Sequence, residues 1–389
     1  MPRLRSEVHG PAYLDRVLRV DRPLIDPRVG GVVDRSAGGR IREQPGASTL
    51  RIACLPGLDF IVSPLPEGWP GPFGLIVPAA APDRSSPDTP DPTTVRRLEG
   101  IAARDDLGGM GAGYAKALGA RLTWLAGAAD DPTTAAVQKL LADEGILSRP
   151  IRLPDKPGEW TLLVTSGPHG DKLAVGFRSF GDSAPPLEAD DPAEPPDLLV
   201  AASMTNRRVR DILASTSARV RMFAPSIRNM LDRDPAVSSF AGSIDILCCN
   251  ALEWESAADR EEIAWRVSIL AVTDGPRGAV VRFTDPVGEP GRITVPAFPR
   301  TNPPRDTNRA GEAFASTLVS TLIEQGWTPG TAEASLVALA AERASAAAAL
   351  VLDRLDFGFP TSEEIDRALA EGIVRPRAQT THDSTRPES

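Results

Sequence analysis

The stretch 306–314, with the sequence DTNRAGEAF, combines a turn of small residues with a carboxylate at the start of a predicted helix. The helix is predicted because apolar residues follow at the three-and-four spacing of one helical face, up to a stop at Gly326. The N-terminus of a helix carries unbonded N–H groups and the positive end of the helix dipole, so a phosphate can bind there. Glu312 lies in the first turn, where its carboxylate can take a proton from a hydroxyl that attacks the phosphate. Taken alone, the pattern also fits an ordinary acidic first turn on a packed helix, which is the commoner case.

A second carboxylate follows a strand of the buried type. Asn250 and Glu253 bracket a tetrad that comes directly after the predicted buried strand 244–249. Because Mg²⁺ keeps several waters and takes few protein ligands, a carboxylate at a strand end can hold the hydrated ion. The same tetrad is frequent by chance, and Glu253 can equally begin a helix.

Two glycine-rich turns offer backbone N–H groups to a ligand, because glycine lets the main chain approach closely. They are 108–113 (GGMGAG), which is predicted to lead into a helix that ends at 118, and 273–278 (TDGPRG). The first turn is also compatible with the fingerprint of a nicotinamide-dependent enzyme, in which Asp130 and Asp131 fall near the ribose. That fingerprint needs a strand directly before Gly108, and we predict none over 102–107.

The elements that must position these residues alternate between strand and helix in the second half of the chain. Strands are predicted at 198–201, 220–223, 244–249 and 268–272, and helices at 207–216 and 253–265. This alternation predicts an α/β fold with a mostly parallel sheet covered by helices. Other predicted elements are a strand and turn at 8–20, strands at 50–55, 73–77 and 121–126, helices at 132–144 and 331–352, and antiparallel pairs at 160–165 with 172–177 and 278–283 with 291–295.

Composition narrows the class of protein. The 389 residues carry a formal net charge of −9, which argues against a broad nucleic-acid surface. The three cysteines, Cys54, Cys248 and Cys249, lack the spacing of a disulfide framework or a zinc site, so we expect a reduced, cytoplasmic protein. The basic start lacks the apolar core of a signal peptide, and no apolar run reaches membrane-spanning length. We therefore expect no membrane partner.

Four motifs, taken in their order along the chain, carry a resemblance that covers residues 8–369. They are 9–15 (HGPAYLD), 108–113 with the downstream 127–132 (GAADDP), 250–253 (NALE), and 273–279 (TDGPRGA) followed by 306–312 (DTNRAGE). In this order they resemble the ribokinase-like (PfkB) carbohydrate kinase family. The resemblance implies a ribokinase-like α/β fold, with a mostly parallel central sheet, helices on both faces and a small β lid. It also implies ATP-dependent transfer of the γ-phosphoryl group to a hydroxyl of a sugar or sugar-like small molecule.

The resemblance implies a role for each matching residue. The catalytic set is Glu312 as general base with the backbone N–H groups of Arg309, Ala310 and Gly311 around the phosphate. The substrate-binding set is Asp15, Gly108, Gly109 and Asp306. The cofactor-binding set is Asn250, Glu253, Thr273, Gly275 and Gly278, with Glu253 acting on Mg²⁺ through water. The implied cofactors are ATP and Mg²⁺, and a monovalent cation is a further candidate.

The chain departs from the family motifs at four positions. Glu312 occupies the place of the catalytic Asp, Arg309 that of the first glycine of the anion hole, Gly113 that of a sugar-binding Asn, and Met110 that of a Lys found in ribokinases. The longer Glu312 side chain moves the carboxylate, and a displacement of about 1 Å can cost roughly a hundredfold in rate. The Arg309 guanidinium can reach the transferring phosphate or fill the anion hole, and both remain open. The alternative function is therefore a catalytically impaired kinase-fold protein that binds a ligand or serves as a scaffold.

The early region is longer and richer in proline than this fold needs. The family draws lid strands from this region and often dimerises through them. We expect a kinase domain over 1–375, with lid elements mainly from about 26–100 and 150–180, and a disordered tail over 376–389. A homodimer through the lid is a further expectation.

Overall fold

The computed structural model describes residues 4–20, 40–42, 50–55, 58–62, 103–166, 171–177, 180, 195–300, 308–354, 356–372 and 379–382. The chain forms two compact units. The larger unit consists of Met1–Tyr13, Leu107–Gly158 and Ser179–Ser389, and the smaller unit of Leu14–Asp106 and Glu159–Arg178.

The elements are numbered in chain order. The strands are β1 (Ser6–His9), β2 (Tyr13–Val20), β3 (Arg40–Arg42), β4 (Leu50–Leu55), β5 (Leu58–Val62), β6 (Ala103–Gly108), β7 (Arg121–Ala126), β8 (Ser148–Arg152), β9 (Trp160–Ser166), β10 (Asp171–Phe177), β11 (Leu198–Ala202), β12 (Val220–Ala224), β13 (Ile246–Asn250), β14 (Ile269–Thr273), β15 (Ala279–Thr284), β16 (Pro290–Val295) and β17 (Gln379–His382). The helices are α1 (Met110–Leu118), α2 (Pro132–Asp143), α3 (Asn206–Ser215), α4 (Ile227–Leu231), α5 (Ala251–Ser256), α6 (Arg260–Arg266), α7 (Ala310–Glu324), α8 (Ala334–Val351) and α9 (Ser362–Glu371).

A ten-stranded sheet forms the centre of the larger unit. Its order is β17-β16-β15-β14-β13-β12-β11-β1-β7-β8. The strands from β14 to β8 pair in parallel, and β15, β16 and β17 add antiparallel strands at one edge. The mostly parallel sheet predicted from the alternation of elements is confirmed.

Helices cover the faces of this sheet, which is why a central strand such as β11 is apolar along its whole length. All five residues of β11 are buried. Because successive side chains point to opposite faces, Leu199 and Ala201 join the core formed with α3 and α6, while Leu198 and Val200 lie on the face where α1 contacts the sheet.

Helix α8 fills the core beside α7. It packs against α7, α9 and β16, and its alanines allow close approach. Among the helices that the structure describes, α8 alone is long and apolar enough to cross a membrane, and 50% of it is buried inside the fold. The expectation that no run reaches that length is therefore wrong for this 18-residue helix.

The smaller unit contains two separate sheets. One has four strands in the order β10-β9-β2-β6, and the other has three in the order β3-β4-β5. The predicted antiparallel pair is confirmed as β9 with β10, and β4 has the predicted bounds. The strand predicted at 73–77 lies outside the described residues.

Three predicted elements need correction. The helix predicted over 253–265 is two helices, because Ala257 turns into the core in an extended conformation after α5. A strand, β6, occupies 103–108 where none was predicted, since pairing in the four-stranded sheet overrides the low strand propensity of Asp105 and Asp106. Within the tail expected to be disordered, four residues form β17, which hydrogen-bonds to the otherwise unpaired edge of β16.

Candidate active site

The candidate site begins where the strand order of the large sheet reverses. The chain proceeds from β1 to β7 and β8 on one side, and from β11 to β14 on the other. In open α/β sheets, ligands bind at the carboxyl ends of strands beside such a reversal. At this place Gly10 follows β1, and a Cβ on it would lie 2.8 Å from Gly111 Cα and 3.1 Å from Ala202 Cβ. The first turn of α1 therefore lies against the ends of β1 and β11.

The turn into α1 is the predicted glycine-rich motif. Gly108 ends β6 and is buried, and Gly109 has φ +100°, a conformation that side chains rarely adopt. A Cβ on Gly109 would lie 2.3 Å from Pro11 O. The motif is thus fixed by close backbone packing. Because β6 belongs to the four-stranded sheet, the strand before this turn is not the parallel-sheet strand that a dinucleotide fingerprint requires. Asp131 caps α2 instead, where its Oδ2 accepts from the N–H groups of Thr134 (2.6 Å) and Gly158 (3.0 Å).

Two cofactor-binding candidates meet at the ends of neighbouring strands. Asn250 ends β13 and pairs in register with Thr273, which ends β14. The Asn250 Oδ1 accepts from the N–H of Glu253 at 2.9 Å, and Glu253 Oε2 accepts from the N–H of Asn250 at 2.8 Å. This reciprocal capping box starts α5 and fixes both side chains at the carboxyl end of β13.

The Glu253 carboxyl has an unusual electrostatic environment. Desolvation by burial, with a smaller contribution from the charge of Glu312, raises its pKa to about 7, despite the hydrogen bond from Asn250 N–H. A cation beside this group would favour its ionised form. Its oxygen donor and its position at a strand end fit a hydrated Mg²⁺ ion.

The second glycine-rich turn follows Thr273. Gly275 (φ +50°) and Gly278 (φ +95°) both adopt positive φ, and a Cβ on Gly278 would lie 2.1 Å from Val295 O. The turn is closed by a 2.7 Å hydrogen bond from Asp274 N–H to Gly278 O. Positive φ explains the glycine at 275, and positive φ together with the close approach of Val295 O explains the glycine at 278.

The predicted anion hole falls at the N-terminus of α7. Arg309 precedes the helix in the left-handed conformation (φ 68°, ψ −2°), which the glycine of the family motif adopts without strain. The N–H of Ala313 donates to Arg309 O at 2.8 Å. By helix geometry, the N–H groups of Ala310 and Gly311 precede this first bond and point out of the helix end.

The Arg309 side chain contacts the segment between α8 and α9. Its Nη1 donates to Asp356 O, and its guanidinium lies over the Phe357 ring, 5.6 Å from the centroid. The cation–π contact and the hydrogen bond offset part of the cost of the left-handed backbone. Both contacts tie the guanidinium to this segment.

Glu312 lies in the first turn of α7, against the middle of α1. A Cβ on Gly113 would lie 3.1 Å from Glu312 Cγ and 3.4 Å from its Oε1. Two departures from the family motifs are therefore neighbours in space: the longer acid at 312 lies beside position 113, where the side chain is missing.

Tyr114 is a member of the site that the sequence reasoning missed. It is 2% exposed. Burial raises the pKa of its hydroxyl well above the usual range, and the charges of Glu312, Cys248 and Glu253 act in the same direction. Its size is the feature of the sequence that could have indicated it, because Tyr114 is the one aromatic residue of a helix built mainly from small residues.

Two predicted substrate-binding residues, Asp15 and Asp306, are not among the described residues of the larger unit. Asp15 belongs to β2 of the smaller unit, where it is paired in register with Thr161 of β9. Asp306 lies outside the described residues. The structure thus gathers Asn250, Glu253, Thr273 and Glu312 in the larger unit, with Gly109 in the same unit.

Comparison with known proteins gives the site its context. Ribokinase from Thermotoga maritima aligns at 16% identity over 95% of this chain and 100% of its own, with a TM-score of 0.59. Ribokinase from Giardia lamblia has a TM-score of 0.60 at 16% identity over 95% and 99% of the two chains. A nucleoside kinase from Burkholderia thailandensis, in complex with inosine, has a TM-score of 0.58 at 17% identity over 95% and 100%. At these identities the likeness shows the fold.

The sequence comparison reaches further than the fold. No curated protein matches the chain. The family model described as pfkB family carbohydrate kinase matches residues 94–363, more than half of the chain. That match spans the glycine-rich turn into α1, the capping box of α5, the loop after β14 and the N-terminus of α7. The chain belongs to the pfkB family of carbohydrate kinases.

Proposed function

We propose that this protein transfers the γ-phosphoryl group of ATP to a hydroxyl of a sugar or sugar-like small molecule, with Glu312 as general base. The observation that carries the proposal is the position of the Glu312 carboxylate. It lies one turn into α7, next to the helix-end N–H groups, against α1 and within electrostatic range of Glu253. The proposed base, the helix end proposed to bind the phosphate and the proposed cation ligand therefore lie in the same part of the larger unit.

The proposed reaction needs little covalent chemistry from the protein. The N–H groups of Ala310 and Gly311 donate to the oxygens of the transferring phosphoryl group, with those of Arg309 and Glu312 beside them, and stabilise the developing negative charge. A carboxylate oxygen of Glu312 accepts the proton of the attacking hydroxyl as its oxygen forms the new bond to phosphorus. The bond from phosphorus to the β-phosphate oxygen breaks, and ADP leaves.

The cofactor side is formed by the ends of β13 and β14. Glu253, held by its capping box with Asn250, would act through water on Mg²⁺, which when bound offsets phosphate charge. Thr273, Gly275 and Gly278 would border the nucleotide. A monovalent cation stays a prediction, and potassium is present in the complex of phosphofructokinase-2 from Escherichia coli, a structure with the same fold.

The substrate side is less constrained. Asp15, Gly108, Gly109 and Asp306 are the proposed substrate contacts, since carboxylates accept hydrogen bonds from diols and glycine exposes the main chain. Gly113 offers no side-chain amide for a sugar hydroxyl. The acceptor class therefore extends from sugars to nucleosides and other alcohols.

Location and assembly are part of the same proposal. We propose a cytoplasmic protein, which the two buried free thiols Cys248 and Cys249 support, and a homodimer through strands of the smaller unit. We propose that these strands serve as the lid. Size-exclusion chromatography with light scattering tests the dimer.

The test is a screen for ADP release with MgATP and panels of sugars, nucleosides and other alcohols. With an accepted substrate, Glu312→Ala should lower kcat by about a hundredfold to ten-thousandfold, because the base is lost. The matched control is Glu324→Ala, which removes an exposed glutamate at the other end of the same helix and should leave kcat unchanged. Undiminished turnover by Glu312→Ala would refute the assignment of the base.

A catalytically impaired, ligand-binding or scaffolding protein is the second candidate. The observation in its favour is Arg309, a non-glycine residue in left-handed conformation at the anion hole. Calorimetry with MgATP separates the two. A protein that binds MgATP and an alcohol without releasing ADP supports the second candidate, and a protein that turns over excludes it.

A further inference from the structure

Three glycines, Gly109, Gly111 and Gly113, lie at the start of helix α1 or within it. They are not glycine for the same physical reason. Gly109 has positive φ, and a Cβ on Gly111 would lie 2.5 Å from the carbonyl carbon of Gly10, so both are required by the backbone. Gly113 has neither reason. It lies in the middle of the helix with an ordinary helical φ, where alanine is the more favourable residue.

The neighbour of Gly113 is the side chain of Glu312. The three atoms nearest to a Cβ at this position are Cγ at 3.1 Å, Oε1 at 3.4 Å and Cδ at 3.5 Å, all of Glu312. The first distance is shorter than an ordinary contact between carbon atoms, so a side chain at 113 displaces the acid by some tenths of an ångström. Position 113 thus acts on the site through Glu312.

We propose that Gly113 is a positioning residue whose missing side chain provides the space that the Glu312 carboxylate occupies. The inference rests on the proposed function of Glu312 as general base. It explains two departures from the family motifs as one: the longer acid fits because the facing position on α1 is empty. With Glu at 312, a side chain at 113 displaces the carboxylate, whereas a shorter acid at 312 leaves room for that side chain.

The substitution that tests this is Gly113→Ala, alone and combined with Glu312→Asp. In the wild-type background the added methyl group meets Cγ, and we expect kcat to fall about threefold to fivefold, because a misplacement of about 1 Å can cost roughly a hundredfold and this one is some tenths of an ångström. In the Glu312→Asp background the shorter side chain clears the methyl group. There we expect Gly113→Ala to change kcat less than twofold, whatever the activity of Glu312→Asp itself.

Thermal unfolding gives a second readout that does not depend on turnover. Alanine favours the helix, so Gly113→Ala should raise Tm by about 1–2 °C in the Glu312→Asp background. In the wild-type background the contact with Glu312 should cancel part or all of this gain. Gly242→Ala is the matched control, since Gly242 has nothing within 4 Å of an added Cβ, and its effects should be equal in both backgrounds.

The outcomes separate this inference from the proposed function. Equal effects of Gly113→Ala in the two backgrounds, on both kcat and Tm, overturn the positioning role, because independent sites are additive. The positioning role is supported if Gly113→Ala lowers kcat in the wild-type background and changes Tm differently in the wild-type and Glu312→Asp backgrounds. Unchanged turnover in Glu312→Ala overturns the proposed base, and the unfolding cycle then still decides whether the two residues share one space.

Discussion

Two turns of the candidate site, both at helix N-termini, are held in different ways. The turn before α5 is closed by Asn250 and Glu253 themselves, which bond each other's backbone at 2.8 and 2.9 Å. The turn before α7 depends on distant partners. Arg309 is tied to Asp356 and Phe357, and Glu312 lies against α1. The first turn is held by hydrogen bonds between residues three positions apart, and the second by contacts with residues distant in the chain.

The difference bears on where the family motif is free to change. A capping box is satisfied by two residues three positions apart, so its residue types are fixed by local hydrogen bonding. The N-terminus of α7 tolerates Arg309 and Glu312 because the surrounding fold offers a ring, a carbonyl and an empty space. Departures from the motif are thus found where long-range contacts accommodate them.

The largest expected effect separates the two carboxylates by role. Glu312→Gln should lower kcat by about a thousandfold at any Mg²⁺ concentration, since a neutral amide cannot accept the proton. Glu253→Gln should cost about tenfold to a hundredfold, mainly as a higher Mg²⁺ requirement, as for residues that act on a metal through water. ADP release measured across a Mg²⁺ titration distinguishes them. Recovery of Glu312→Gln at high Mg²⁺ would contradict the assignment.

Arg309 gives the next effect. Arg309→Ala should lower the free energy of unfolding by about 1–2 kcal/mol, because it loses the contacts to Asp356 and Phe357 and keeps the left-handed backbone. Arg309→Gly loses the same contacts but removes the backbone strain, so it should be about 1 kcal/mol more stable than Arg309→Ala. Urea unfolding of the pair measures the gap. Equal stabilities would show that the left-handed conformation costs nothing here.

The local turn should respond only to its own cap. Asn250→Ala removes the oxygen that accepts from Glu253 N–H and should cost about 1 kcal/mol, whereas Asn250→Ser keeps an acceptor and should cost much less. Denaturant unfolding of both variants is the measurement. If Asn250→Ser is as damaging as Asn250→Ala, the side chain does more than cap the helix.

The smallest effect is a pH dependence from Glu253. Its pKa is raised from 4.5 to about 7 in the folded protein, so folding favours the protonated form. The stability that this group provides is present below pH 4.5 and is lost as pH rises through 7. Because Gln resembles the protonated acid, Glu253→Gln should gain stability relative to wild type over this window. The gain should be on the order of 1 kcal/mol, since solvent screens the partly exposed carboxyl. A stability difference that stays flat from pH 4.5 to 7.5, without Mg²⁺, would count against the raised pKa.

Much of the sheet could be predicted from the sequence. Apolar runs such as β11 and β14 are bounded by turns and alternate with helices, and this pattern depends on local burial alone. β6 and the break between α5 and α6 could not be predicted. The first depends on pairing with a distant strand, and the second on the position of Ala257 in the core.

The sequence by itself predicted the family, from four short motifs in a fixed order, and with them the glycine-rich turns and the Asn250–Glu253 tetrad, because each motif consists of residue types close together along the chain. Only the tertiary structure decided how Arg309 and Glu312 are accommodated. The Arg309 guanidinium lies over the Phe357 ring, and the Glu312 side chain lies beside Gly113. The two residues of each pair are far apart in the chain and become adjacent only on folding.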